Sequence, residues 1–162
     1  MAAKRGAFIS FEGADGVGKS TQVARVGDAL AARGCTVLTT REPGGAPGAE
    51  AIRTLLKDPD GPDWLAASEA LMMSAARAEH LDKTIAPALA RGAVVLCDRF
   101  ADSTTVYQAY AGGLPLEAVM ALHRVAVGSQ WPDLTLVMAA SARTAMARRG
   151  ARGPADRFEA KG

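Results

Sequence analysis

The stretch Gly13-Ala14-Asp15-Gly16-Val17-Gly18-Lys19-Ser20, followed by Thr21, leaves the chain little freedom in how it folds. Its G-x-x-x-x-G-K-S spacing is that of a phosphate-binding P-loop, which needs a strand before it and a helix after it. Both are legible. Ala7 to Phe11 is a short apolar run suited to a buried strand, and Thr21 to Arg33 carries Val23, Val26, Leu30 and Ala31 at helical spacing before Gly34. Glycines in the turn let backbone N–H groups close around phosphate oxygens, and the helix N-terminus adds the positive end of its dipole. Lys19 would reach the β- and γ-phosphates of a nucleoside triphosphate, and the Ser20 hydroxyl would hold Mg²⁺.

The remaining chain alternates in the same way. Thr36 to Thr40 reads as a second strand and runs into a Pro- and Gly-rich loop, Arg41 to Gly48. A helix is expected over Ala49 to Lys57. A longer one runs from Leu65 through Ala78 towards Leu89, with a break expected at Pro87. Ala93 to Cys97 is continuously apolar, as in a strand buried on both faces, and it ends in Asp98-Arg99. Thr104 to Tyr110 and Leu116 to Val127 read as helices, Leu134 to Met138 as a fourth strand, and the tail from Ser141 as helical before turning rich in Arg and Gly. Such alternation implies an α/β fold with a parallel sheet, whose ligands sit beyond the carboxyl ends of the strands. Asp15 and Lys19, Arg41-Glu42, and Asp98-Arg99 each follow a strand, so they should converge on one crevice. No internal repeat or linker divides the 162 residues, which suit one domain with a sizeable core.

Composition narrows the class of partner. Hydrophobic residues make up 49% and charged ones 22%, as in a globular chain, and the formal net charge is only +2. A nucleic-acid binder with a basic face is not expected; a site for small anions is. Cys35 and Cys97 lie in or beside strand-like runs and read as buried thiols of a reducing compartment rather than as a disulfide or metal pair. No apolar stretch approaches about 18 residues, and Met1 to Arg5 leads into a strand rather than a signal-peptide core. A cytoplasmic location without a membrane partner is the expectation.

Three further features bear on chemistry. An apolar strand ending in Asp98 has the form of the element whose carboxylate organises Mg²⁺ in P-loop enzymes. Arg99 offers a fork of donors suited to a phosphate, although a salt-bridged surface arginine would leave the same trace. Arg148-Arg149-Gly150-Ala151-Arg152-Gly153 reads either as a solvated basic loop or as a segment that closes over bound phosphates.

With these residues in view, the chain resembles thymidylate kinase. Phe11 to Gln22 looks like that family's P-loop, including the acidic residue within it. Thr40-Arg41-Glu42-Pro43-Gly44-Gly45 is similar to its T-R-E-P-G-G loop, and Asp98 to Gln108 to its D-R-[YFH]-x-x-S-x-x-A-Y-Q segment. Arg149 to Glu159 resembles its lid. The resemblance implies a P-loop NTPase fold, a three-layer α/β/α sandwich, as one kinase domain over residues 1–162 with a lid at about 143–160. It implies transfer of a phosphoryl group from ATP, with Mg²⁺, to dTMP, and a homodimer. Residue by residue, Gly13 to Thr21 would hold ATP and Ser20 with Asp98 the metal. Asp15 would meet the acceptor's 3′-hydroxyl, Arg99 its phosphate, and Arg77 and Thr104 its base. Arg41 and Pro43 would complete the acceptor site, and Tyr107 would fill the space of a ribose 2′-hydroxyl. Lys19, Arg99, Arg149 and Arg152 would supply catalytic charge.

The chain departs from the family at points. Met73 stands where the family usually stacks Phe on thymine; its thioether can pack there more softly. Ala46 replaces a usual Thr. The family continues past the lid through a fifth, edge strand and further helices that hold adenine, so four strands and an absent C-terminal part are expected here. Two rivals remain open at this point: a kinase of another nucleotide or deoxynucleoside, and a nucleotide-binding fragment without catalysis. No N-K-x-D segment for reading guanine is present.

Overall fold

The computed structural model describes residues 5–150, with the backbone alone at Arg149. Strand β1 (Phe8–Glu12) enters the glycine-rich turn and leaves it as helix α1 (Lys19–Ala31), two residues earlier than the apolar pattern implied. Gly18 makes this possible. At φ 101° it turns the chain directly into the helix, with no side chain capping the first turn. The amides of that turn are therefore left for an external acceptor.

Then come β2 (Val37–Arg41), α2 (Pro47–Lys57) and α3 (Ala66–His80). Helix α3 continues through a π-helical turn, Leu81–Ile85, into α4 (Ala86–Ala90). The break expected at Pro87 is absent. The turn widens ahead of the proline, where the Ala86 N–H bonds to Leu81 O, and Pro87 falls in the first turn of α4, where its missing donor is tolerated. Strand β3 (Val94–Asp98) is followed by α5 (Ala101–Thr104), which runs into a second π-helical stretch, Thr105–Ala111. Helix α6 (Leu116–Val127), β4 (Leu134–Val137) and α7 (Ala142–Gly150) complete the described chain.

All the pairings are parallel, in the order β2-β3-β1-β4, which is an α/β fold with both faces covered. Alternation along β3 shows why. Val95 and Cys97 join Phe8, Ile85, Leu89 and Phe100 in one core, whereas Leu96 turns to the other face with Phe11 and Val23 of α1. Val95 and Leu96 are wholly buried, and a side chain of their kind contributes about 1.5–3 kcal/mol when removed from water. Cys97 lies in this core, but Cys35 is exposed in the turn between α1 and β2, against the expectation of two buried thiols. On the edge strand β4, Leu134 and Val137 stay exposed. No helix among the described residues is long and apolar enough to cross a membrane.

Candidate active site

Register levels the strand ends. Phe11 and Arg41 both lie opposite Asp98, so the loops after β1, β2 and β3 emerge side by side. A cleft of about 250 Å³ opens there, and Asp15, Lys19, Ser20, Arg41, Asp98 and Arg99 all line it. The charged clusters that follow the strands do converge. Gly16, Gly18, Pro43, Met73, Arg77, Thr104 and Tyr107 line the same cleft. Thr21 is exposed on the first turn of α1 outside it, while Gly13, Ala14 and Val17 form the body of the loop.

At the phosphate end, Lys19 is 6% exposed and donates to two carbonyls of its own loop, Gly13 O at 2.9 Å and Ala14 O at 2.8 Å. Burial, and then the charge of Arg99, pulls its ammonium below the usual lysine range, with Asp98 and Asp15 opposing. Ser20 Oγ donates to Asp98 Oδ2 at 2.5 Å, which brings a hydroxyl and a carboxylate together at the helix start. No group of three or more His, Cys, Asp or Glu among the described residues could cage an ion. A short all-oxygen set of this kind suits a hard cation that keeps water and phosphate as its other ligands. Helix α7 lies directly on the loop: a Cβ on Gly16, at φ +80°, would stand 2.1 Å from Ala145 O. Arg148 Nη1 reaches Val17 O at 3.4 Å. The Arg149 side chain and the whole of Arg152 lie outside the described residues.

At the other end the side chains brace one another. Arg99 has φ 71°, donates to Asp15 Oδ1 at 2.6 Å and Ser103 Oγ at 2.9 Å, and lies 5.5 Å over the Tyr107 ring. Behind it, Glu12 accepts the Phe100 N–H at 2.7 Å and the Ser103 hydroxyl at 2.6 Å. Burial raises the Glu12 carboxyl above its ordinary value, and those two hydrogen bonds draw it part of the way back. Arg77 is buried in an ion pair, Nε to Glu42 Oε2 at 2.7 Å, and its Nη2 donates to Phe100 O and Thr104 Oγ1. Its Nη1 has no hydrogen-bond partner, nor has Gln108 Oε1, and both residues line the cleft. Arg41 is held by Glu50 at 3.1 Å, and Pro43 O accepts from Arg53 at 2.6 Å.

Sequence reasoning left Glu12 without a role, brought Glu42 to the crevice and Arg148 into the cationic segment without giving either a partner, and passed over Arg53, His80, Ser103 and Gln108. Glu42, Ser103 and Gln108 lay inside the matched segments and were available to it. His80, alone on a helix face, gave no local sign.

The family model described as thymidylate kinase matches residues 11–162. The thymidylate kinase of Caulobacter vibrioides is 52% identical over 158 residues, which is 98% of this chain and 76% of that protein. That of Ruegeria pomeroyi is 48% identical over 95% of this chain and 73% of its own length. The crystal structure of thymidylate kinase from Ehrlichia chaffeensis superposes with a TM-score of 0.76 at 36% identity, covering 89% of this chain and 76% of that one.

Proposed function

Because the chain belongs to the thymidylate kinase family, we propose that it transfers the γ-phosphoryl group of ATP to dTMP, giving ADP and dTDP. The observation that carries this is an unpaired donor, Arg77 Nη1, and an unpaired acceptor, Gln108 Oε1, on two residues that line the same cleft as the P-loop. Glu69 accepts from Gln108 Nε2 at 3.2 Å, which fixes the amide with Oε1 as the spare atom. Thymine presents a carbonyl acceptor beside an N–H donor, which complements that pair. Cytosine presents the reverse, an amino donor facing Arg77.

The remaining roles follow from charge and position. Arg99 takes the acceptor phosphate, and Asp15, which holds Arg99 and lines the same cleft, takes the acceptor's 3′-hydroxyl. Arg41, Pro43, Met73 and Thr104 complete the acceptor walls, and Tyr107 closes the space a 2′-hydroxyl would need. An oxygen of the acceptor phosphate attacks the γ-phosphorus and ADP leaves. A phosphate monoester is already anionic at neutral pH, so no strong general base is required. Lys19 exchanges the Gly13 and Ala14 carbonyls for phosphate oxygens, and the amides of residues 13–21 cradle them. Mg²⁺ held by Ser20 and Asp98 would neutralise charge on the phosphates. Residues 143–160 act as a lid over the P-loop, on which α7 already rests, with Arg149 and Arg152 supplying positive charge. The exposed apolar residues Leu71 of α3 and Leu116 and Met120 of α6 favour a homodimer through those helices.

A coupled assay for ADP on this chain, with ATP and Mg²⁺, tests the proposal against dTMP, dUMP, dCMP and thymidine. We expect the highest kcat/KM with dTMP, a loss of at least about 100-fold with dCMP, and no turnover of thymidine. Equal rates with dCMP would overturn the roles given to Arg77 and Gln108. Absence of ADP with every acceptor would overturn the kinase assignment.

A further inference from the structure

Behind Arg77 lies a line of side chains, buried except for the half-buried Thr40, that meets the cleft at Glu42 and Arg77. Thr40, near the end of β2, bonds through Oγ1 to His80 Nε2 at 2.7 Å. His80 Nδ1 lies 3.1 Å from Glu42 Oε1, and the other Glu42 oxygen receives Arg77 Nε at 2.7 Å. The Nδ1–H tautomer satisfies the whole line: Nδ1–H donates to Glu42, and Nε2 accepts the Thr40 hydroxyl proton. His80 is 0% exposed and Arg77 2%. Neither Thr40 nor His80 lines the cleft, whereas Glu42 and Arg77, to which they lead, both do.

The imidazole is fixed on more than one side. Gly45 packs against it so closely that a Cβ there would stand 2.3 Å from Nε2 and 2.5 Å from Thr40 Oγ1. Gly45 is in turn held by the Thr84 hydroxyl, which donates to its carbonyl at 2.6 Å. A glutamate carboxylate rotates readily about its last torsion. Glu42 is pinned only because one oxygen serves His80 and the other Arg77. A guanidinium is planar and rigid, so fixing Nε and Nη2 also fixes the direction of the unpaired Nη1.

We propose that His80, braced by Thr40 and Gly45, is a positioning residue. It holds Glu42 and thereby Arg77, keeping Nη1 where the base of the acceptor nucleotide is read. The proposal rests on the assignment of Arg77 to that base, and its test separates the two.

His80→Asn places an amide nitrogen close to the position of Nδ1 and keeps the bond to Glu42. His80→Gln reaches towards Thr40 and loses Glu42. Both are compared with the wild type by thermal melting, by kinetics with dTMP, dCMP and ATP, and by the Arg77 Nε–H resonance in ¹⁵N-labelled protein. We expect the asparagine variant to keep its KM for dTMP within about 3-fold and to keep the resonance. The glutamine variant should raise that KM by about 10-fold, narrow the preference for dTMP over dCMP, and shift or lose the resonance. The KM for ATP should stay within about 3-fold in both. Thr40→Val, a milder change on β2, should move the same quantities in the direction of the glutamine variant. If folded asparagine and glutamine variants behave alike, or if the KM for ATP rises with that for dTMP, the proposal is overturned. A wild type with no preference for dTMP over dCMP would overturn the assignment of Arg77, and the Nε–H resonance would still decide the brace.

Discussion

The two ends of the cleft are built on different principles. The phosphate end comes mainly from one continuous stretch and is made largely by backbone: a left-handed Gly18, an uncapped helix start, and Lys19 resting on carbonyls of its own loop, with Asp98 joining it from β3. The acceptor end is made by side chains drawn from residues 12 to 108, each holding the next in the interior. In the first, backbone carries the fold of the site, so removing a side chain should disturb the structure that presents it little. In the second, the groups that would read the acceptor are also part of the core, so stability and recognition are coupled.

The largest effect should come where structure and function are separable. Lys19→Ala should lower kcat by about 10²- to 10³-fold, as loss of a charge-stabilising donor does, with a Tm within about 2 °C of the wild type. A large fall in Tm would show that the ammonium also holds the loop together. Next comes Arg77→Leu, which leaves Glu42 buried beside His80 without its cation. Breaking one side of a buried pair costs about 3–5 kcal/mol, so Tm should fall by roughly 10 °C, and the KM for dTMP should rise about 100-fold. The double variant Glu42→Leu/Arg77→Leu sharpens the contrast. An apolar pair should recover most of the Tm and none of the affinity for dTMP, by calorimetry and initial rates.

Legibility in the sequence divides along the same line. The phosphate end was readable because its constraint is local: glycines, Lys19 and Ser20 at fixed spacing between an apolar strand and an amphipathic helix. Strand β3 announced itself by a continuous apolar run, and helix α6 has the bounds its pattern implied, Leu116 to Val127. The π-helical turns at 81–85 and 105–111 were not readable. A widened turn is set by what the helix packs against, and its residues look like those of any helix. The pairing of Glu42 with Arg77 and His80 was missed for a related reason. A buried carboxylate carries no pattern of its own; only the fold brings Arg77, 35 positions away, to meet it.

Glu12 lies between the two regimes. It ends β1, next to the P-loop, yet works at the acceptor end by holding the turn that presents Arg99. In Glu12→Gln one amide oxygen can still receive the Phe100 N–H. The amide nitrogen would then face Ser103 Oγ, which already accepts from Arg99. We therefore expect kcat/KM for dTMP to fall by about 10-fold, with the KM for ATP unchanged. The pH dependence gives a finer test. Burial raises the folded carboxyl above its ordinary value of 4.5, so the folded state binds that proton more tightly than the unfolded chain does. The charged form thus costs stability above the folded pKa, and the cost is relieved as pH falls through it towards 4.5. The Tm of the wild type relative to Glu12→Gln should rise over that window. Its kcat/KM should fall towards that of the variant, because a protonated Glu12 supplies Ser103 no better than glutamine does. Stability and activity would then move in opposite directions on acidification. A Tm difference that stays flat with pH would mean that Glu12 is charged in the folded and unfolded chain alike, and that its hydrogen bonds outweigh its burial.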